Sequence, residues 1–250
     1  MKSSDQHDLI GIEVKNISKK LGPNQALDSI STHFEKGLLH GLIGPEGAGK
    51  TTLLRTILQM LSPDSGNIEF TTCGKQVSFD LIRSKVAYMP QQQSLYADLS
   101  ISEHLDFFRD LYQLPPDIYR QRREELLHIT RLDKFIDRPA GKLSGGMYKK
   151  LGLMCALLQS PSVILLDEPT NGVDPISRRE FWELLNSLSK KKILIIFATA
   201  YMDEAERCDR VHILSYGSLI AEGQPRIVLE RENVSSYDEL FLKKASEGVL

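Results

Sequence analysis

Eight consecutive residues, Gly44-Pro45-Glu46-Gly47-Ala48-Gly49-Lys50-Thr51, combine three glycines with a terminal lysine and threonine, a set suited to holding the phosphates of a nucleotide. Glycines let the backbone curl until successive N–H groups point inward at an anion, and they remove side chains that would block its approach. Lys50 offers a positive charge for the outer phosphates, and Thr51 a hydroxyl for magnesium. The run from Thr52 to Leu58 reads as a helix whose N-terminal dipole adds to the site, and Leu38 to Ile43 reads as the buried strand that leads into it. A strand, a glycine turn and a helix in that order make the segment a nucleotide-binding loop rather than a chance surface turn.

Two other groups of residues could do chemistry. Val163 to Leu166 deliver Asp167 and Glu168 to the end of an apolar strand, where one acid can hold magnesium and its neighbour can orient and deprotonate water. Leu143-Ser144-Gly145-Gly146-Met147 precedes a helical run from Tyr148 to Leu158 and forms a second helix N-terminus receptive to anions. Two phosphate-binding devices in one chain imply two ligands, or one ligand shared between two chains.

The elements that must position these groups are legible in outline. Ile10, Ile12 and Val14, and again Ile30, Thr32 and Phe34, recur with period two and read as half-buried antiparallel strands. Asn67 to Phe70, a turn at Cys73-Gly74, and Lys85 to Met89 are expected to extend that sheet. From Ser100 to Gln159 the pattern is helical, opening with Ser100 and Glu103 at capping-box spacing and broken by Pro115-Pro116. Arg120, Arg122 and Arg123 read as a solvated helix face, and the Leu105-Phe107-Phe108-Leu111 stripe as core. Val163–Leu166 and Ile193–Phe197 are continuous apolar runs expected of parallel strands buried on both faces. Between them Asp174-Pro175 opens a helix lined by Phe181, Leu184, Leu185 and Leu188, with Asp174 as its N-cap. Val211 to Leu214, a Tyr216-Gly217 turn and Ser218 to Ala221 read as a closing hairpin.

Composition narrows the class. At 250 residues the chain can bury a full α/β core without staples, and 31 basic against 33 acidic residues give a net charge of -2. That balance lacks the footprint of a nucleic-acid wrapper, and no nucleic-acid partner is expected. Three cysteines, Cys73, Cys155 and Cys208, lack metal-ligand spacing and read as reduced thiols. Residues 1–8 are polar and are expected to be disordered, and no run reaches spanning length, so the expected location is cytoplasmic, at a membrane only through a partner.

With these motifs in order, the chain resembles the ATP-binding subunits of ABC transporters from about Ile10 to about Val228. The resemblance assigns Gly44 to Thr51 to Walker A, Gln91 to the Q-loop, Leu143 to Met147 to the signature, Asp167-Glu168 to Walker B with its catalytic acid, and Asp174 to the D-loop. Met147 and the run Tyr201 to Glu206 look most like the drug and polysaccharide exporter branch that works with ABC-2 type permeases. It implies an α/β fold: a P-loop NTPase core with a mostly parallel sheet, an antiparallel β subdomain and an inserted α-helical subdomain. The implied division is 10–91 for the β subdomain with the Walker A core, 92–160 for the helical subdomain, 161–228 for the Walker B core and hairpin, and 229–250 for a tail.

The same resemblance implies a head-to-tail dimer with ATP between Walker A of one subunit and the signature of the other. Walker A, with Thr52, would hold the phosphates; Thr51, Gln91 and Asp167 would surround magnesium, and Glu168 would activate water. Ser144 and Gly146 would meet the partner's ATP, Asp174 would sense the opposite site, and residues 92–100 would contact an integral membrane permease. Three positions depart from the pattern. Ala200 stands where the family has a switch histidine, a loss worth ~100-fold or more in rate. Leu21 replaces the aromatic that stacks on adenine, and Glu46 brings a carboxylate to the phosphate loop, where it is expected to point outward. Two transport readings follow: a working ATPase driving export, or a degenerate ATP-binding subunit whose signature completes a partner's active site. A soluble ABC-type ATPase acting on ribosomes or DNA is the reading from another class.

Overall fold

The apolar runs form strands and the amphipathic runs form helices in the computed structural model, which describes residues 9–92 and 95–246. The expectation for residues 1–8 lies outside the described residues. The strands are β1 Ile10–Leu21, β2 Asn24–Phe34, β3 Leu39–Ile43, β4 Ser65–Thr72, β5 Lys75–Val77, β6 Val86–Met89, β7 Val163–Asp167, β8 Leu194–Thr199, β9 Arg210–Ser215 and β10 Ser218–Gly223. The helices are α1 Lys50–Ile57, α2 Phe79–Ile82, α3 Ile101–Leu111, α4 Pro116–Thr130, α5 Gly145–Leu157, α6 Pro175–Ser189, α7 Pro225–Glu232 and α8 Tyr237–Ser246.

Among the described residues the strands make two sheets. One is antiparallel, in the order β2-β1-β4-β5, and the other runs β10-β9-β3-β8-β7-β6 with parallel pairing except at the β9–β10 hairpin. The expectation that Lys85 to Met89 would extend the antiparallel sheet is wrong. Val86–Met89 pairs in parallel with Val163–Leu166, at the edge of the second sheet. A four-residue strand with alternating burial carries no local signal for its partner, because parallel pairing is fixed by residues far away in the chain.

The continuous apolar runs have the expected cause. Val163 and Leu165 pack with Phe34, Leu53 and Leu54 between the two sheets. Ile164 and Leu166 face the other way, into a core with Leu151, Trp182 and Leu185 of α5 and α6. All four are fully buried, each contributing about 1.5–3 kcal/mol. The solvated face assigned to Arg120, Arg122 and Arg123 holds only for Arg120. Arg122 Nη1 donates to Leu158 O at 2.9 Å and Arg123 Nη2 to Ser102 Oγ at 3.1 Å, so these two tie α4 to α5 and α3. Helix starts follow their caps: Ser100 and Glu103 make the reciprocal box at α3, and Asp174 accepts from the amides of Ile176 and Ser177 at α6.

This topology gathers the chemistry at one edge. Ile43 lies opposite Thr199 and Asp167 opposite Ala198, so the carboxyl ends of β3, β7 and β8 deliver Gly44, Glu168 and Ala200 side by side. That edge is where open α/β sheets bind ligands.

Candidate functional site

The glycine turn fits its place for a steric reason. Gly49 has φ 104°, and a Cβ there would come within 2.5 Å of Ala26 O on β2. The turn is closed by Ala48 N donating to Pro45 O at 3.2 Å and tied to β8 by Gly44 N donating to Thr199 O at 3.2 Å. Gly47 and Glu46 lie exposed, Ala48 is buried, and Lys50 is only 4% exposed. Lys50 Nζ donates to Gly44 O at 2.7 Å and Pro45 O at 2.9 Å, and stands 3.4 Å from Glu168 Oε1. Burial pulls this ammonium below the ordinary lysine value, while the nearby Glu168 works against the shift.

Thr51 Oγ1 donates to Asp167 Oδ1 at 3.0 Å, and Tyr88 OH to Asp167 Oδ2 at 3.2 Å. Burial raises the Asp167 carboxyl above the usual range, and these two hydroxyls only partly offset it. A buried carboxylate whose hydrogen bonds come from hydroxyls, with Arg55 as a more distant positive charge, gains from a closer cation, and the oxygens of Asp167, Thr51 and Gln91 are the hard ligands magnesium takes. Among the described residues no cluster of three His, Cys, Asp or Glu could hold a metal unaided.

Glu168 is 7% exposed and sits at φ 47°, an uncommon region for a residue with a side chain. Its amide is pinned to Ala198 O at 2.9 Å, which aims the carboxylate back toward the loop. Oε2 accepts from Gln91 Nε2 at 2.9 Å and Asn171 Nδ2 at 3.1 Å. The structure therefore brings the glycine loop, Thr51, Asp167, Glu168 and Gln91 into one cluster. Thr52 follows on α1, partly exposed.

The second helix N-terminus stands on a separate element. Ser144 caps α5 by accepting from Met147 N at 3.3 Å, with Ser144 and Gly145 exposed, Leu143 and Met147 half-buried, and Gly146 buried. A Cβ on Gly146 would meet Ser177 Oγ at 2.5 Å, so close packing of α5 on α6 also requires glycine there. Leu21 is 45% exposed at the tip of the β1–β2 hairpin, whose Ala26 flanks Gly49. Ala200 follows β8 directly. Its neighbour Tyr201 donates N–H to Thr199 Oγ1 at 3.0 Å and places its ring under the Arg178 guanidinium, 4.5 Å from the centroid.

Sequence reasoning missed four members of this neighbourhood. Tyr88 and Glu204 were inside quoted segments but had no role, and Asn171 and Lys149 had no distinguishing local pattern. Glu204 is fully buried, accepting from Thr199 Oγ1 at 2.6 Å, Arg178 Nε at 2.7 Å, Thr170 Oγ1 at 2.9 Å and Trp182 Nε1 at 3.0 Å. Beside Asp203 and Glu206 its acidic letter carries no local signal of burial. Lys149 Nζ donates to the backbone oxygen of Gln91 at 3.1 Å.

Comparison with known proteins agrees with this geometry. The profile of the family described as ABC transporter matches residues 27–171. The probable multidrug ABC transporter ATP-binding protein YbhF of Escherichia coli (strain K12) is 43% identical over 205 residues, 82% of this chain and 36% of that protein. The Nod factor export ATP-binding protein I of Ralstonia nicotianae is 37% identical over 224 residues, 88% of this chain and 69% of its own. The chain thus spans little more than a third of the length of YbhF. A solved ATP-binding subunit of an ABC transporter superposes with a TM-score of 0.80 at 30% identity, over 93% of this chain and 98% of that one. CbiO1 from Clostridium perfringens, part of the cbiONQ transporter complex, gives 0.79 at 28% identity over 90% and 92%. A dimeric cassette, MJ0796, gives 0.73 at 25% identity over 86% and 99%.

Proposed function

This chain belongs to the ABC transporter family, and from that premise we propose that it binds and hydrolyses ATP as the energising subunit of a membrane exporter. The carrying observation is Glu168, held at φ 47° between Gln91, Asn171 and Lys50 beside the Thr51–Asp167 pair. ATP would be held by the loop from Gly44 to Thr51, with magnesium near Thr51, Asp167 and Gln91 supplying charge neutralisation at the phosphates. Lys50 would exchange the carbonyls of Gly44 and Pro45 for phosphate oxygens, which stabilise its buried charge better. Glu168 would accept a proton from water, with the amides of Gln91 and Asn171 fixing the oxygen that does not take it.

The exposed cap at Ser144 would close on ATP held by a second subunit, homo- or heterodimeric, as the dimeric MJ0796 cassette suggests. Asp174, already the α6 cap, would lie at that interface. Export is supported by the names of the relatives, multidrug and Nod factor export proteins, and permease association by the cbiONQ complex. Among the described residues no helix is long and apolar enough to cross a membrane.

Ala200 favours a second reading, in which this chain's own site binds ATP and its signature completes a partner's site. Magnesium-dependent hydrolysis measured across protein concentration, for the unaltered chain and Ala200→His, separates the two. Turnover that rises faster than linearly supports the ATPase; ATP binding without turnover, gained on Ala200→His, establishes the degenerate site.

A further inference from the structure

We propose that Lys149 is a positioning residue through which the signature helix α5 sets the geometry of Glu168 in its own chain. The inference rests on the reading of Glu168 as the water-activating group. Lys149 lies five residues beyond Ser144, about 7.5 Å along the axis and roughly 140° around it, so it looks away from the capped end. Its ammonium donates to Gln91 O at 3.1 Å, and the side chain of the same glutamine donates to Glu168 Oε2 at 2.9 Å. The preceding residue makes a second attachment: Tyr148 OH accepts from Leu95 N at 3.1 Å. Successive residues of α5 therefore hold Gln91 O and Leu95 N.

A solvated lysine that touched a carbonyl by chance would have neither this partner nor these surroundings. Lys149 is half-buried and feels both Asp167 and Glu168, whose charges oppose the effect of burial on its ammonium. Because the Gln91–Glu168 bond is 2.9 Å long, a shift of α5 by little more than half an ångström, passed through Lys149, carries the amide beyond hydrogen-bond reach. In a dimer, Ser144 contacts nucleotide held by the partner. The path Ser144, α5, Lys149, Gln91, Glu168 then makes water activation in one site depend on occupancy of the other.

The test uses the full chain with Lys149→Met and Lys149→Arg. Backbone hydrogen exchange over residues 86–92, without nucleotide, is expected to quicken several-fold in Lys149→Met and to return to the unaltered rate in Lys149→Arg. With ATP and magnesium, Lys149→Met should lower kcat about 10-fold, a coupling-sized effect, with KM within about twofold, and bring the Hill coefficient for ATP toward one. Lys149→Arg should restore kcat and cooperativity. Unchanged exchange in a folded Lys149→Met chain overturns the proposal, whether or not the chain hydrolyses ATP, and so does a kcat loss that arginine fails to restore. Absence of turnover in the unaltered chain contradicts only the ATPase reading, and the exchange result then decides the tether.

Discussion

Two buried glutamates flank the carboxyl end of β8, and they are held in opposite ways. Glu204 accepts four hydrogen bonds of 2.6–3.0 Å, from Thr199, Arg178, Thr170 and Trp182. Glu168 has two amide donors at 2.9 and 3.1 Å, a lysine 3.4 Å away and a backbone at φ 47°. One carboxylate is closed, with three donors on Oε1 and one on Oε2. The other is held by groups that can change partners. Burial of a carboxylate therefore does not identify a reactive site; the looseness of its partners, and the strain accepted to aim it, do so better.

The contrast makes quantitative demands. Glu204→Ala should cost about 3–5 kcal/mol of unfolding free energy in denaturant melts, since it leaves the Arg178 Nε–H and three further donors without their acceptor, although Asp203 still pairs the Arg178 charge. A loss below about 1 kcal/mol would dissolve the distinction. Gly146→Ala should cost about 1–3 kcal/mol by forcing α5 away from Ser177, whereas Ser144→Ala, at an exposed cap, should cost about 1 kcal/mol. Comparable melts for the two would show that Gly146 has no packing role.

A second closed cluster gives the comparison a pH test. His40 Nε2 donates to Glu35 O at 3.1 Å, so the neutral ring's Nδ1 accepts from His212 Nε2 at 2.9 Å. His212 Nδ1 meets Thr32 Oγ1 at 2.7 Å and stands 3.3 Å from Glu222, with Arg210 and His33 also nearby. Burial, reinforced by His212 and His33, lowers His40 to about 3. The unfolded chain then binds a proton between pH 6.5 and 3 that the folded chain refuses. Stability from this group is full above pH 6.5 and falls by up to about 1.4 kcal/mol per unit as pH drops through that window. Melts of the unaltered chain and His40→Gln at pH 7 and 5 should differ in slope; parallel losses would show that His40 is not the titrating group. The smallest expected change is in the stability of Glu168→Gln, within about 1 kcal/mol of the unaltered chain, since the amide relieves a buried charge without stranding four donors.

The strand, turn and helix around Gly44–Thr51, the acid pair and the capped turn at Ser144 were legible because each depends on residues adjacent in sequence. The β6 pairing was not, since its partner lies more than seventy residues away in β7. Arg122 looked like helix-surface charge because its carbonyl partner, on Leu158, carries no side-chain signature, and Lys149 drew no reading for the same reason, its partner being the backbone oxygen of Gln91. Glu204 was hidden for the converse reason: its neighbours Asp203 and Glu206 are exposed, and only the tertiary fold distinguishes it from them.

The central claim, that Glu168 is the open carboxylate on which turnover depends, is tested most directly by Glu168→Gln in the full chain. ATP affinity from a nucleotide titration and magnesium-dependent phosphate release should be read on the same sample. The account predicts affinity within a few-fold of the unaltered chain and release at least ~100-fold slower. Turnover that survives the substitution would contradict it and move the search for the water-activating group elsewhere in the cluster.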